Sequence, residues 1–102
     1  MSVLEIVRTT CVEGKSADMR AILEKAMPVF VGIEGCRGAK ALQAVESEDP
    51  NVFHLLIEWD SVEAHLAWRD CKAESRAWFL ENVRPLMSGD NIVGHFIQFA
   101  DG

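Results

Sequence analysis

Tyrosine is absent from the sequence, and cysteine, histidine and proline appear three times each in 102 residues. Each shortage excludes something. Cys11, Cys36 and Cys71 are odd in number and far apart, with no C-x-x-C pair, so neither a disulfide framework nor a zinc pattern is expected. Reduced thiols in a cytoplasmic protein are the simplest reading. His54, His65 and His95 form no H-x-x-x-H or H-E-x-x-H unit, which leaves no metal site to predict. Basic residues are few and scattered: 10 Lys and Arg stand against 16 Asp and Glu, a net charge of −6. Nucleic acid and anionic membrane surfaces both need clustered cations, so neither is expected as a partner. Gly32, Gly35 and Gly38 are spaced as turn residues and not as G-x-G-x-x-G, and no bound organic cofactor is predicted. There is no G-x-S-x-G elbow and no apolar run long enough to cross a bilayer, and no signal peptide is expected.

What remains is an ordinary globular balance, 49% hydrophobic and 25% charged, in a length that suits one domain over residues 1–102. Val3 to Val12 is short and β-branched, a strand with Leu4, Ile6, Arg8 and Thr10 on one face and Val3, Glu5, Val7, Thr9 and Cys11 on the other. Ser16 reads as an N-cap for an amphipathic helix carrying Met19, Ile22, Leu23, Ala26 and Phe30, with Pro28 bending or tightening its end and Gly32 and Gly35 stopping it. Gly38 to Ser47 is a weaker strand, and Glu48 to Asn51 a turn.

The stretch from Val52 to Phe79 organises the rest, because it holds all three Trp and two of the three His. Val52 to Trp59 alternates as a strand. Asp60 then reads as the cap of a second helix, with Glu63 completing a capping box, and that helix runs toward Pro85. Ile92 to Ala100 reads as the last strand, with His95, Ile97 and Phe99 on one face. The order β-α-β-β-α-β predicts an α+β, ferredoxin-like sandwich: a four-stranded antiparallel sheet with two helices on one face. The third and fourth strands are apolar on both faces, where a solvated face would alternate cleanly. A second copy of the chain is the simplest cover, giving a homodimer packed sheet to sheet.

The chemistry must come from aromatic side chains and an imidazole. Trp59, Trp68 and Trp78, with Phe30 opposite, could wall a site for a small hydrophobic molecule or could fill the core. Trp78 and Phe79 compete for one inward direction. His65, near the start of the second helix, is a candidate catalytic acid or base, or else a rim residue. His54 and His95 read as partners in buried hydrogen bonds. Arg8 and Gln43 could face the pocket or the dimer seam.

The segment IEWDSVEAHLAW (Ile57 to Trp68), preceded by Gly35-Cys36 and the turn Glu48-Asp49-Pro50, resembles the antibiotic biosynthesis monooxygenase family of dimeric α/β barrels. His65 directly after Ala64 stands close to the family's usual His. The resemblance covers most of the chain. As in some members of the family, it implies cofactor-free oxygenation of polyketide anthrones, in which the substrate anion reacts with O2 in a dry pocket, while other members degrade haem, isomerise small lactones or have no known substrate. It also implies Asn, Trp and Arg around the substrate oxygens: Trp59 or Trp68 could serve as the Trp, and Asn51, Arg76 and Arg84 have suitable chemistry. A haem-degrading branch would need an Asn and a His where this chain holds Val7 and Trp78, so haem degradation is not expected. The alternative to an enzyme is a non-catalytic, ligand-binding or structural dimer of the same fold.

Overall fold

A computed structural model describes residues 2–46 and 49–102 of the chain. The elements run β1 (Val3–Thr10), α1 (Ser16–Val31), β2 (Cys36–Leu42), β3 (Val52–Trp59), α2 (Val62–Arg69), α3 (Glu74–Asn82), a 3-10 turn (Arg84–Leu86) and β4 (Ile92–Phe96). The four strands form one antiparallel sheet in the order β2-β3-β1-β4, with two crossovers, which is the ferredoxin-like arrangement. β1 lies centrally, paired with β3 from Val3↔Trp59 to Thr10↔Val52 and with β4 from Leu4↔Phe96 to Arg8↔Ile92.

Strict alternation in β1 and β3 decides which side meets the helices. Val7 and Thr9 on β1 and Phe53, Leu55, Ile57 and Trp59 on β3 are buried, together with Glu5. Against them α1 sets Met19, Leu23, Ala26 and Phe30, four positions one turn apart on a single stripe. Each fully buried large side chain here contributes about 1.5–3 kcal/mol of transfer free energy. The opposite face carries Leu4, Ile6, Val52 and Leu56, partly buried, and Leu42, Ile92 and Phe96, exposed. Arg8 lies on this face and is exposed, so it is remote from the helix-side cavity.

The structure revises several boundaries. Ser16 is the first helical residue of α1 and Lys15 the cap; no side chain caps this end, and the Lys15 carbonyl instead accepts from the Met19 N–H at 2.8 Å. α1 continues three residues past Pro28, whose ring denies a donor only to the exposed Glu24 turn, where water can replace it. β2 starts earlier than expected, at Cys36, and ends at Leu42. The expected turn begins at Glu48, outside the described residues, as does Ser47; within it, Asp49 Oδ1 accepts from the Asn51 N–H at 2.9 Å. Ser61, not Asp60, caps α2, its hydroxyl accepting from the Ala64 N–H at 3.1 Å. Asp60 is spent elsewhere, accepting from Arg37 Nε at 2.7 Å.

The second helix is two helices. The chain leaves α2 at Asp70, and Ala73 is extended (φ −64, ψ 155) before α3 starts. Trp68 Nε1 spans the break and donates to Ser75 Oγ at 2.9 Å. β4 ends at Phe96 because its partner β1 begins only one residue beyond Leu4. Ile97 and Phe99 therefore lie outside the sheet, 56% and 93% exposed.

Gly35 positions the join between α1 and α2. Its φ is +86°, and a Cβ there would stand 2.9 Å from Ala64 Cβ, so a side chain would be both strained and in collision.

Candidate functional site

Glu5 is an acid on the helix-facing side of the central strand, 6% exposed. An unpaired carboxylate there would be costly, and the fold supplies donors. Trp59 Nε1 donates to Glu5 Oε1 at 2.9 Å. His65 Nε2 is 3.2 Å from Glu5 Oε2. His65 Nδ1 is in turn 2.8 Å from His95 Nε2. β4 brings His95 here because it pairs directly opposite Glu5, and α2 brings His65 because one turn from its cap points inward. The Trp59 and His65 rings stack at 5.1 Å, which fixes the plane of the middle imidazole.

Hydrogen-bond logic orders the protons. An indole N–H can only donate, so Glu5 Oε1 accepts. With Glu5 as carboxylate, Oε2 accepts from His65 Nε2–H. His65 Nδ1 is then bare and must accept from His95 Nε2–H, which leaves His95 Nδ1 as the free base of the chain. These tautomers follow from the network and not from observed hydrogens. Burial holds the His65 pKa down at about 4, with His95, Arg69 and Arg76 pushing the same way, so this imidazole is neutral near pH 7. Burial also raises the Glu5 pKa, against the Trp59 hydrogen bond and His95, which lower it. Glu5 is thus a stronger proton acceptor than an ordinary carboxylate.

These groups edge a cavity of about 370 Å³ between sheet and helices. Val7, Leu55, Ile57 and Val93 form its floor, Phe30, Trp68 and Phe79 one wall, and Arg69, Arg76, Arg84, Asn91 and Met87 the rest. The three rings pack edge to face, Phe30 at 5.6 Å from Trp68 and Phe79 at 6.0 Å from it. This volume suits a small ligand of two or three fused rings, since ligand sites begin at about 300 Å³. A wider groove of about 780 Å³ lies on the other side of Trp68, between the end of α1 and α2, but carries no imidazole.

The residues singled out from sequence separate here. Phe30, Trp68 and His65 line the cavity. Trp59 is fully buried behind His65, and touches the site through its indole N–H. Trp78 is half-buried against the core and does not line the cavity; Phe79 takes the inward direction, because α3 restarts in a new orientation after the break. Asn51 sits at the far end, its Oδ1 accepting from the Cys11 thiol at 3.4 Å. Gln43 is exposed and donates to the Pro50 carbonyl at 3.0 Å. His54 lies on the outward face, away from the cavity. His95, read from sequence as a partner in a buried hydrogen bond, does bond His65 but is itself exposed, and Glu5 and Asn91 were not singled out. The signal for Glu5 was available as the lone acid among the inward residues of β1. Asn91 Oδ1 is buried without a hydrogen-bond partner, one of two such side-chain atoms among the described residues.

Fold and site together define a small α+β domain with a hydrogen-bonded Glu5–His65–His95 chain at the edge of an aromatic cavity. The chain belongs to the antibiotic biosynthesis monooxygenase family, whose model matches residues 2–87. Similar solved structures share its fold at low identity. A Bordetella bronchiseptica protein, provisionally named an antibiotic biosynthesis monooxygenase, superposes with a TM-score of 0.84 at 24% identity over 97% of this chain and 98% of its own. SnoaB, a cofactor-independent oxygenase from Streptomyces nogalater, gives 0.76 at 17% identity over 98% and 95%. A Nitrosomonas europaea protein of unknown function, NE2512, gives 0.76 at 18% over 99% and 92%. No curated protein matches the sequence.

Proposed function

We propose that this protein is a cofactor-independent monooxygenase acting on a small planar aromatic or polyketide-like substrate. The observation that carries the reading is the Glu5–His65–His95 chain ending at the aromatic-walled cavity. A substrate with an acidic C–H, such as an anthrone methylene, loses that proton to His95 Nδ1. The imidazolium passes its Nε2 proton to His65 Nδ1, and His65 passes its Nε2 proton to Glu5, so the charge ends deep in the fold. The resonance-stabilised carbanion gives an electron to O2, and the carbon–oxygen bond forms as a peroxide. Loss of the second C–H proton with O–O cleavage yields the carbonyl and one water, so one oxygen atom enters the product and the other leaves reduced. Apolar walls favour this sequence by keeping bulk water from reprotonating the anion. Trp68 and Phe30 hold the ring faces.

The working unit in this reading is a homodimer. Leu4, Ile6, Val52, Leu56, Leu42, Ile92 and Phe96 share the sheet face that no helix covers, and a second copy would bury them. The enzyme test is oxygen uptake with a panel of anthrones and quinols. His65→Ala should lose most of the activity, and His95→Asn at least as much. Unchanged turnover in both removes the imidazoles from the mechanism.

A further inference from the structure

The chain is acidic overall, with a net charge of −6, yet three of its six arginines meet at this one cavity. Arg69, Arg76 and Arg84 line it, and its single carboxylate, Glu5, is already engaged by Trp59 and His65. The three cations differ in what they have to offer. Arg69 is exposed and paired with Asp70, Nε to Oδ1 at 3.1 Å and Nη2 to Oδ2 at 3.3 Å. Arg84 is exposed at the start of the 3-10 turn. Arg76 is half-buried, its guanidinium carbon 5.0 Å above the Trp68 ring and 5.5 Å from the Phe79 ring. Among the described residues no carboxylate comes within ion-pair distance of it.

A guanidinium laid over an aromatic face keeps its N–H edges in its own plane, free for a second partner. Two parallel N–H donors match the two oxygens of a carboxylate, and in a half-desolvated place that bond is stronger than in water. Holding a partly dehydrated cation beside two others, with no carboxylate in ion-pair contact, costs stability. Burial and the Arg84 and Arg69 charges push the Arg76 pKa down, and Cys71 and Asp70 offset this only in part. An anion in the cavity would relieve that cost.

We infer that the cavity is built for an anion: a planar aromatic carboxylate whose carboxylate is gripped by Arg76, with its ring against Phe30, Trp68 and Phe79. Arg84 adds attraction without contact. The bidentate grip also sets the orientation, because it pins one end of the ligand to α3 while His95 stands on β4 across the cavity. This assignment rests on the proposed function only in placing the substrate here; the charge preference can be measured without any turnover.

The experiment is isothermal titration of the full chain with 2-naphthoate and with its neutral isostere 2-naphthamide, at pH 8 and at low and high salt. The acid should bind at least tenfold tighter than the amide at low salt. Arg76→Gln should erase that preference while amide binding stays as it was, and Arg76→Lys should restore part of it. Arg84→Gln, at an exposed position where folding is not at stake, should weaken the acid two- to threefold at low salt and leave it unchanged at high salt. Equal affinity for acid and amide, a preference that survives Arg76→Gln, or no binding of either would overturn the inference. Acid-selective binding without oxygen uptake from any substrate would keep the anion site and sink the oxygenase reading.

Discussion

His65 should make this protein acid-sensitive over a window that its neighbours define. In the fold its pKa is held at about 4, against 6.5 for the free side chain. Between those values the unfolded chain takes up a proton that the folded chain refuses, so stability rises with pH there. The full difference corresponds to about 3 kcal/mol, since each pH unit is worth about 1.36 kcal/mol. At 6% exposure His65 is poorly screened by solvent, so little discount is due. Glu5 works in the opposite sense. Its folded pKa is raised, so the folded state holds the proton more tightly, and its contribution is lost as pH rises through that value. Net stability should therefore climb from pH 4 to pH 6.5 by less than the His65 figure alone.

Thermal unfolding from pH 4 to pH 8, followed by calorimetry or circular dichroism, resolves this. About 1 kcal/mol moves Tm by roughly 4–8 °C in a domain of this size. His65→Gln keeps a hydrogen-bonding side chain beside Glu5 but removes the titration. Relative to the parent, the variant should lose the rise between pH 4 and pH 6.5, and the opposing Glu5 slope should emerge. Other carboxylates cancel in the comparison. Parallel curves for the two proteins across that window would refute the placement of a neutral, desolvated imidazole at residue 65.

Other perturbations report on separate parts of the structure. Trp59→Phe keeps the ring but removes the donor to Glu5 Oε1, and should cost about 1–3 kcal/mol in a denaturant titration, because a buried acceptor loses its partner. Ser61→Ala removes the cap of α2 and should cost about 1 kcal/mol by the same assay, whereas Asp60→Ala should cost less because its Arg37 pair is exposed. Gly35→Ala forces a positive φ and a contact with Ala64, and should cost about 1–3 kcal/mol. Leu56→Asp on the helix-free face should leave the circular dichroism of the fold intact while shifting the mass by light scattering to that of one chain; a monomeric parent would end the dimer proposal.

Much of the fold was legible because strand alternation is a strong signal on a half-buried sheet. The faces of β1 and β3 were readable residue by residue, and the stripe on α1 likewise. The break between α2 and α3 was not. No Gly or Pro lies between Gly38 and Pro85 except Pro50, and residues 61–84 read as one helix on propensity. Tertiary packing decides it: restarting the helix turns Arg76 and Phe79 onto Trp68, and the Trp68–Ser75 hydrogen bond ties the two pieces together. The extent of β4 depended on register against β1, which no local pattern contains.

The site was legible in its aromatic half and hidden in its polar half, for a physical reason. Trp68, Phe30 and His65 lie near helix stripes that can be projected from spacing. Glu5 and His95 acquire meaning only as a cross-strand pair, since β1 and β4 lie side by side in the sheet although they are the first and last strands of the chain. Yet the alternation of β1 did mark Glu5 as the one acid facing inward between Val3 and Val7. A carboxylate on the buried face of a central strand costs more than an apolar residue unless something in the interior repays it. Here an indole N–H and an imidazole do so, and the same desolvation that makes Glu5 expensive also raises its pKa. What looks like a local defect in the hydrophobic pattern of a strand is therefore a buried acid with raised proton affinity, which is the property the proposed proton relay requires.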